Sequence, residues 1–332
     1  MGAEVVRFLK KDPFLVGLLC AIFLASVLPC HGAAVPVFHW LSVGLIAPMF
    51  FLQGARLSRK AVVEGVVAWR LHLLIMCCTF VIFPLLGLAA HALVPGLLLP
   101  ELWLGILFLC CLPSTVQSSI AFTSIAGGNV PAAVCAATAS NVFGIFITPV
   151  LVGLVLSQHG QLSGNPLDIV FQLLLPFIAG QVLQPWLVKW AHRHKTLLSF
   201  SDRGSILVVV YAAFSDAVMQ GLWHRLPLAD LGLVALADTV LLALVLLLTT
   251  VLSRVLGLSR QDEITVIFCG SKKTLASVVP MANVLFPAAS VGLIVLPLML
   301  YHQIQLFICA VLARRLSQSK NREEAGAIGQ DA

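Results

Sequence analysis

Two lysines stand side by side in an apolar setting. Lys272 and Lys273 lie in the run Ile267-Phe268-Cys269-Gly270-Ser271-Lys272-Lys273-Thr274-Leu275, half a membrane span from either flank. One lysine at a bilayer centre costs about 2.5–3.5 kcal/mol on insertion scales, so an adjacent pair demands a reason. The pair can offer fixed positive charge to a polar cavity, binding an anion, pairing with a carboxylate or standing in for a bound cation. The structural alternative gives one amine a buried acid and the other an aqueous crevice. Asp216, in Tyr211-Ala212-Ala213-Phe214-Ser215-Asp216, is the preferred acid on charge balance alone; Asp238 is the second carboxylate within an apolar run.

A matching irregularity occurs earlier in the chain. Cys110-Cys111-Leu112-Pro113-Ser114-Thr115-Val116-Gln117-Ser118-Ser119 repeats the pattern of an apolar half-helix, a helix breaker and a polar cluster. Proline removes a backbone donor and glycine weakens a helix. A broken span frees backbone groups that must face a cavity, an ion or other protein. Interrupted spans at corresponding positions of two halves are the best sequence pointer to a transport site. Ser114, Thr115, Gln117 and Ser118 are candidates at the first break; Ser271, Lys272, Lys273 and Thr274 are candidates at the second. Thr138, Ser140 and Asn141 form a further polar patch. These oxygens either coordinate a small hard cation or tie helices together. His302, with Gln303 and Gln305 nearby, is either a pocket residue or an interhelical hydrogen-bonding group.

Enzyme chemistry is not signalled. There is no His-Glu-x-x-His helix, no Gly-x-Ser-x-Gly elbow and no Walker loop. The nine cysteines form no paired Cys-x-x-Cys metal site and read as small apolar residues. No cofactor or metal is expected from these residues.

The elements that must position such groups are membrane helices. Of the 332 residues 60% are hydrophobic and only 10% charged, against about 25% charged in an average soluble domain. That excludes a soluble enzyme, a nucleic-acid binder and a disordered chain. Long apolar runs favour helices over an alternating β-barrel. Ten spans are predicted, at 13–30, 36–55, 71–93, 102–126, 130–156, 168–188, 204–222, 231–253, 263–285 and 290–313. With the N-terminus inside, 17 of the 20 Lys and Arg fall in cytoplasmic segments, and only Arg225 falls outside, beside the two intramembrane lysines. Retention of positive charge on the cytoplasmic side therefore sets both termini inside a cell (inner) membrane. The N-terminal run, behind Arg7, Lys10 and Lys11, reads as a retained first span rather than a signal peptide.

The halves are expected at 1–156 and 168–315, with an outer linker at 157–167 and a mobile cytoplasmic tail at 316–332. Each half has five spans, an odd number, so the second enters the membrane from the opposite side. Such inverted repeats are common in secondary transporters. The sequence leaves the oligomeric state open.

The chain resembles the bile acid:sodium symporter family, in particular the branch of sodium/bile acid cotransporter 7 and its bacterial relatives. The residues that carry the resemblance are Lys10-Lys11-Asp12-Pro13-Phe14, Gly127-Gly128-Asn129, the run Ile267 to Leu275, and Leu300-Tyr301-His302. The resemblance implies an all-α integral membrane fold of ten helices in two inverted five-helix repeats. It also implies a panel domain, a core domain and discontinuous helices 4 and 9 that cross near the binding site. Laid onto this chain, it makes Ser114, Thr115, Gln117, Ser118, Thr138 and Asn141 the equivalents of one sodium-binding set. At the other set, Phe268 falls where the family carries an acid, and Lys272-Lys273 where it carries Gln-Asn. An ammonium there repels Na⁺ in a low-dielectric setting. Transport uncoupled from Na⁺, or coupled to a proton, is the expectation, with sodium symport kept as the open alternative and Na⁺ as the one ion the family would bring. The leading functional reading is secondary transport of an organic anion by alternating access. A non-transporting regulator of ion (calcium) entry is the alternative, and a membrane enzyme is a weaker third.

Overall fold

The computed structural model describes residues 13–32, 34–56, 69–156, 166–219, 221, 227–275 and 278–328. Arg7, Lys10, Lys11, Arg59, Lys60, Arg225 and most of the 157–167 linker lie outside the described residues. Every regular element among them is helical: α1 (Pro13–Val27), α2 (Ala34–Arg56), α3 (Trp69–Leu93), α4 (Pro100–Cys110), α5 (Gln117–Ile125) and α6 (Val130–Leu156), then α7 (Pro166–Arg193), α8 (Lys195–Met219), α9 (Leu228–Val255), α10 (Arg260–Gly270), α11 (Val278–Leu285) and α12 (Ala288–Ile328).

Four described stretches are long and apolar enough to cross a bilayer: Trp69–Leu93, Val130–Leu156, Ala229–Val255 and Ser290–Gln318. Two predicted spans, 102–126 and 263–285, are each divided into two short helices, α4 with α5 and α10 with α11. Both divisions fall at the expected breakers, Pro113 and the Gly270-Ser271 pair. Other bounds differ from expectation. α8 starts at Lys195 rather than 204, and α12 is helical to Ile328 rather than to 313. Nothing after Pro297 breaks α12 until Gly326, so the polar sequence continues the helix that the apolar sequence began.

The chain divides into two compact units. One comprises Met1–Leu57, His159–Leu228 and Ala276–Val295; the other comprises Ser58–Gln158, Ala229–Leu275 and Leu296–Ala332. Each draws helices from both halves of the sequence. In the first unit α7 packs along α2, and α8 packs against α1 and α2. Tyr211 Oη donates to the Leu28 carbonyl at 2.7 Å, tying the end of α1 to α8.

The second unit carries the polar sequences of both breaks. Its core is a cluster of Leu71, Leu74, Ile75 and Cys78 from α3, Ala132, Ala133 and Ala136 from α6, and Val266 and Cys269 from α10. Small alanines let α6 run close to its neighbours, as membrane helices require where polar groups must meet. The ends of this core are capped. Ser259 accepts from the Asp262 N–H, and Asp262 and Glu263 occupy the positive first turn of α10. The turn after α5 closes at Gly127, whose φ of 75° suits a residue without Cβ. Gly128 N–H then returns to the Thr123 carbonyl at 2.8 Å, and Asn129 N–H crosses to the Gln261 carbonyl at 3.1 Å. The α5–α6 turn is thus bonded directly to the start of α10.

Candidate functional site

Three carbonyl groups lose their helical partners in this unit. α4 ends at Cys110, and the chain runs without helix through Cys111, Leu112, Pro113, Ser114, Thr115 and Val116 before α5 begins. The Cys110 and Leu112 carbonyls therefore lie at the negative end of a half-helix. On α3 the backbone makes a π-turn at Cys78–Ile82, in which the Phe83 N–H bonds the Cys78 carbonyl. That takes the donor the Thr79 carbonyl would have used. The next residue is Pro84, which has no N–H to offer. Thr79 O is freed by this combination.

All three carbonyls are taken by one amine. Lys273 Nζ donates to Thr79 O at 2.8 Å, Cys110 O at 2.9 Å and Leu112 O at 2.7 Å. An ammonium has three donors, and each has an acceptor. The Phe83 ring lies 4.0 Å from Nζ and adds a cation–π contact. Lys273 is only 1% exposed. Its own backbone is held by Gln305, whose Oε1 accepts from the Lys273 N–H and whose Nε2 donates to the Lys273 carbonyl, both at 2.9 Å. Gln305 also donates to His302 Nδ1 at 2.9 Å. The non-helical segment is therefore clamped by side chains of α12, and Tyr301 Oη adds a bond to the Ser271 carbonyl at 2.8 Å.

Lys272 is held differently. Its side chain is fully buried, and Nζ lies 3.6 Å from the Phe122 ring centroid and 5.7 Å from that of Phe268. Among the described residues Nζ has no hydrogen-bond partner. Among the described residues of this unit neither lysine takes part in an ion pair; the pairs join Glu263 to Arg254 and Arg260. The preferred acid, Asp216, belongs to the first unit. Within this unit the two amines meet main-chain oxygens and aromatic faces. Freed carbonyls leave no letter in a sequence.

The two breaks are bonded to each other. Thr274 N–H donates to the Pro113 carbonyl at 3.0 Å. Ser114 Oγ donates to the Cys269 carbonyl at 2.6 Å, and Ser119 Oγ to the Phe268 carbonyl at 3.0 Å. α6 satisfies the first break from its other side. Ser140 Oγ accepts from Ser114 N–H at 3.1 Å, Asn141 Nδ2 donates to Ser114 O at 2.7 Å, and Thr148 Oγ1 donates to Cys111 O at 2.9 Å. Ser140, Gly144 and Thr148 recur every fourth residue and so form one stripe. Gly144 lets α6 approach Pro113: a Cβ there would stand 2.6 Å from the Pro113 Cβ.

The structure thus brings Ser114, Asn141, Ser271, Lys273, Thr274 and His302 together through hydrogen bonds at and around the two breaks, with Lys272 beside them on the Phe122 and Phe268 rings. Thr115 bonds locally to Ser118 at 2.8 Å and to Ser119 at 3.2 Å. Gln117 is exposed at the start of α5, and Thr138 is half-buried on α6, outside the bonds between the breaks. Sequence reading did not single out Thr79, Ser119, Thr148 or Gln305 for the site. Pro84, which lacks an N–H five residues further on, is the one sequence signal near the Thr79 carbonyl.

The model of the SBF-like CPA transporter family matches residues 12–318. An uncharacterized protein of Pseudomonas aeruginosa is 57% identical over 326 residues, covering 97% of this chain and 96% of its own. A candidate symporter of Escherichia coli K12, YfeH, is 49% identical over 318 residues, 95% of each chain. Sodium/bile acid cotransporter 7 of Rattus norvegicus is 28% identical over 331 residues, 93% of each chain. These are transporters by family and by name where a role is named, so the sequence's lack of enzyme motifs is accounted for. Apolar helices and family together make this a multi-pass membrane protein. The chain belongs to the SBF-like CPA transporter family, with the bile acid:sodium symporters that its sequence resembles.

Proposed function

We propose that this chain is a secondary transporter of an amphipathic organic anion, bile-acid-like in class, that works by alternating access without Na⁺. The reading takes it to cross the cell (inner) membrane ten times, in two inverted five-helix halves, with both termini in the cytoplasm. One observation carries the coupling part: the Lys273 ammonium occupies three main-chain carbonyls at 2.7–2.9 Å, the ligand type that would otherwise bind a small cation. A tethered cation cannot be transported, so this position no longer responds to an ion gradient. The substrate class rests on the name of the cotransporter 7 relative and on Lys272. The Lys272 amine has donors without acceptors among the described residues, which the carboxylate or sulfonate of an anion would fill.

The test is uptake of labelled taurocholate into proteoliposomes holding the full chain. Saturable uptake that is equal with and without a Na⁺ gradient, and lost in Lys272→Met, supports the reading. Saturable uptake that needs the Na⁺ gradient overturns its coupling part. No saturable uptake with taurocholate overturns the substrate class and favours a non-transporting regulator of ion entry.

A further inference from the structure

Asp238, on the apolar helix α9, is fully buried, and neither of its carboxylate oxygens has a hydrogen-bond partner among the described residues. Its electrostatic neighbours are Cys110, at the end of α4, and Tyr301, on α12. Both belong to the framework around Lys273. Neither serves the carboxylate. The Tyr301 hydroxyl is committed to the Ser271 carbonyl, and Cys110 offers only a weak thiol donor. The Lys273 amine has all three N–H bonds on carbonyl oxygens. α9 itself contributes no second charged side chain between Asp238 and Arg254.

A carboxylate fully buried with no donor among the described residues is not stable as an anion. It holds a proton or a metal cation. Hard cations need several oxygen ligands, and the groups identified beside Asp238 are the Cys110 thiol and the Tyr301 phenol. A thiol and a phenol make a poor set for Na⁺, whereas a proton needs only one oxygen.

We propose that Asp238 is a proton-binding site that couples this carrier to the proton gradient: it is protonated in the buried state described here and releases the proton when its carboxyl meets water. This rests on the transporter reading above. In the binding step one oxygen lone pair of the carboxylate forms an O–H bond with a proton from hydronium, and water is released; the release step is the reverse.

Two measurements on the full chain in lipid vesicles test it, the first without substrate. Infrared difference spectra are recorded as the pH is raised. The wild type is expected to lose a protonated-carboxyl C=O signal that Asp238→Asn lacks throughout. The same signal in Asp238→Asn overturns the proposal, and its loss on adding NaCl at constant pH overturns it in favour of a sodium site. Asp238→Glu retains the acid and is expected to retain the signal at a shifted frequency; it serves should the amide variant fail to assemble. The second measurement is taurocholate uptake under an inward proton gradient. The wild type is expected to accelerate, while Asp238→Asn keeps taurocholate counterflow but loses the acceleration. Equal acceleration in both overturns the proposal. If neither protein carries taurocholate, the substrate reading fails, and the infrared result alone decides whether Asp238 binds the proton.

Discussion

The Lys273 amine lies 2.7 Å from the carbonyl oxygen of Leu112, the residue just before the proline that breaks its span. A side chain from one interrupted segment thereby caps the open end of another. The ammonium meets the negative end of α4, and two further carbonyls complete its acceptors. In this unit the break in one segment explains the lysine in the other.

Lys272 and Lys273 are predicted to differ in what they support. Removing a buried amine that has no hydrogen-bond partner among the described residues relieves a desolvation cost, leaves no acceptor unfilled and gives up only its contact with the Phe122 and Phe268 rings. Lys272→Met is therefore expected to keep or slightly raise the unfolding temperature of the purified protein while abolishing taurocholate uptake. Differential scanning fluorimetry beside uptake assays checks this; a large drop in stability would make Lys272 structural.

The two serine bonds between the breaks should each contribute a modest, measurable amount. Ser114→Ala removes the 2.6 Å bond to the Cys269 carbonyl, and Ser119→Ala the 3.0 Å bond to the Phe268 carbonyl. Each leaves a buried acceptor without that donor, at a cost of about 1–3 kcal/mol. The two bond adjacent residues, so the double variant is expected to depart from additivity in a double-mutant cycle.

Gly144→Ala is predicted to damage the first break without touching a polar group. The new methyl would stand 2.6 Å from the Pro113 Cβ, and neither a ring carbon nor the helix backbone yields easily. A cost of about 1–3 kcal/mol is expected from the overpacking. Gly153→Ala on the same helix, where the added Cβ meets nothing within 4 Å, is the matched control and should be near neutral.

Much of this arrangement is legible in the sequence. Pro113 and Gly270 mark the divided helices because a breaker inside an apolar run is costly unless the helix ends there. Gly127-Gly128-Asn129 marks the turn, and the lysine pair marks the site because buried charge is so costly. What stays hidden depends on the main chain. The acceptor at Thr79 arises from a π-turn together with Pro84, and no side chain advertises it. Charge balance weighs side chains only, so it points to Asp216 and passes over main-chain acceptors. Asp238 is visible as an acid in an apolar run, but its isolation shows only once its neighbours are in place. Gln305 is one polar residue among several on its segment until both its amide atoms are seen bonded to the Lys273 backbone.

The most direct test of the account is the effect of Na⁺ on the unfolding temperature of the wild type and of Lys273→Ala. With the ammonium in place, the account predicts a wild type indifferent to Na⁺ at constant ionic strength. Lys273→Ala empties the three-carbonyl position; it should be strongly destabilised in choline chloride and partly restored by NaCl. A wild type stabilised by Na⁺, or a variant that ignores it, would contradict the claim that Lys273 stands where a cation would bind.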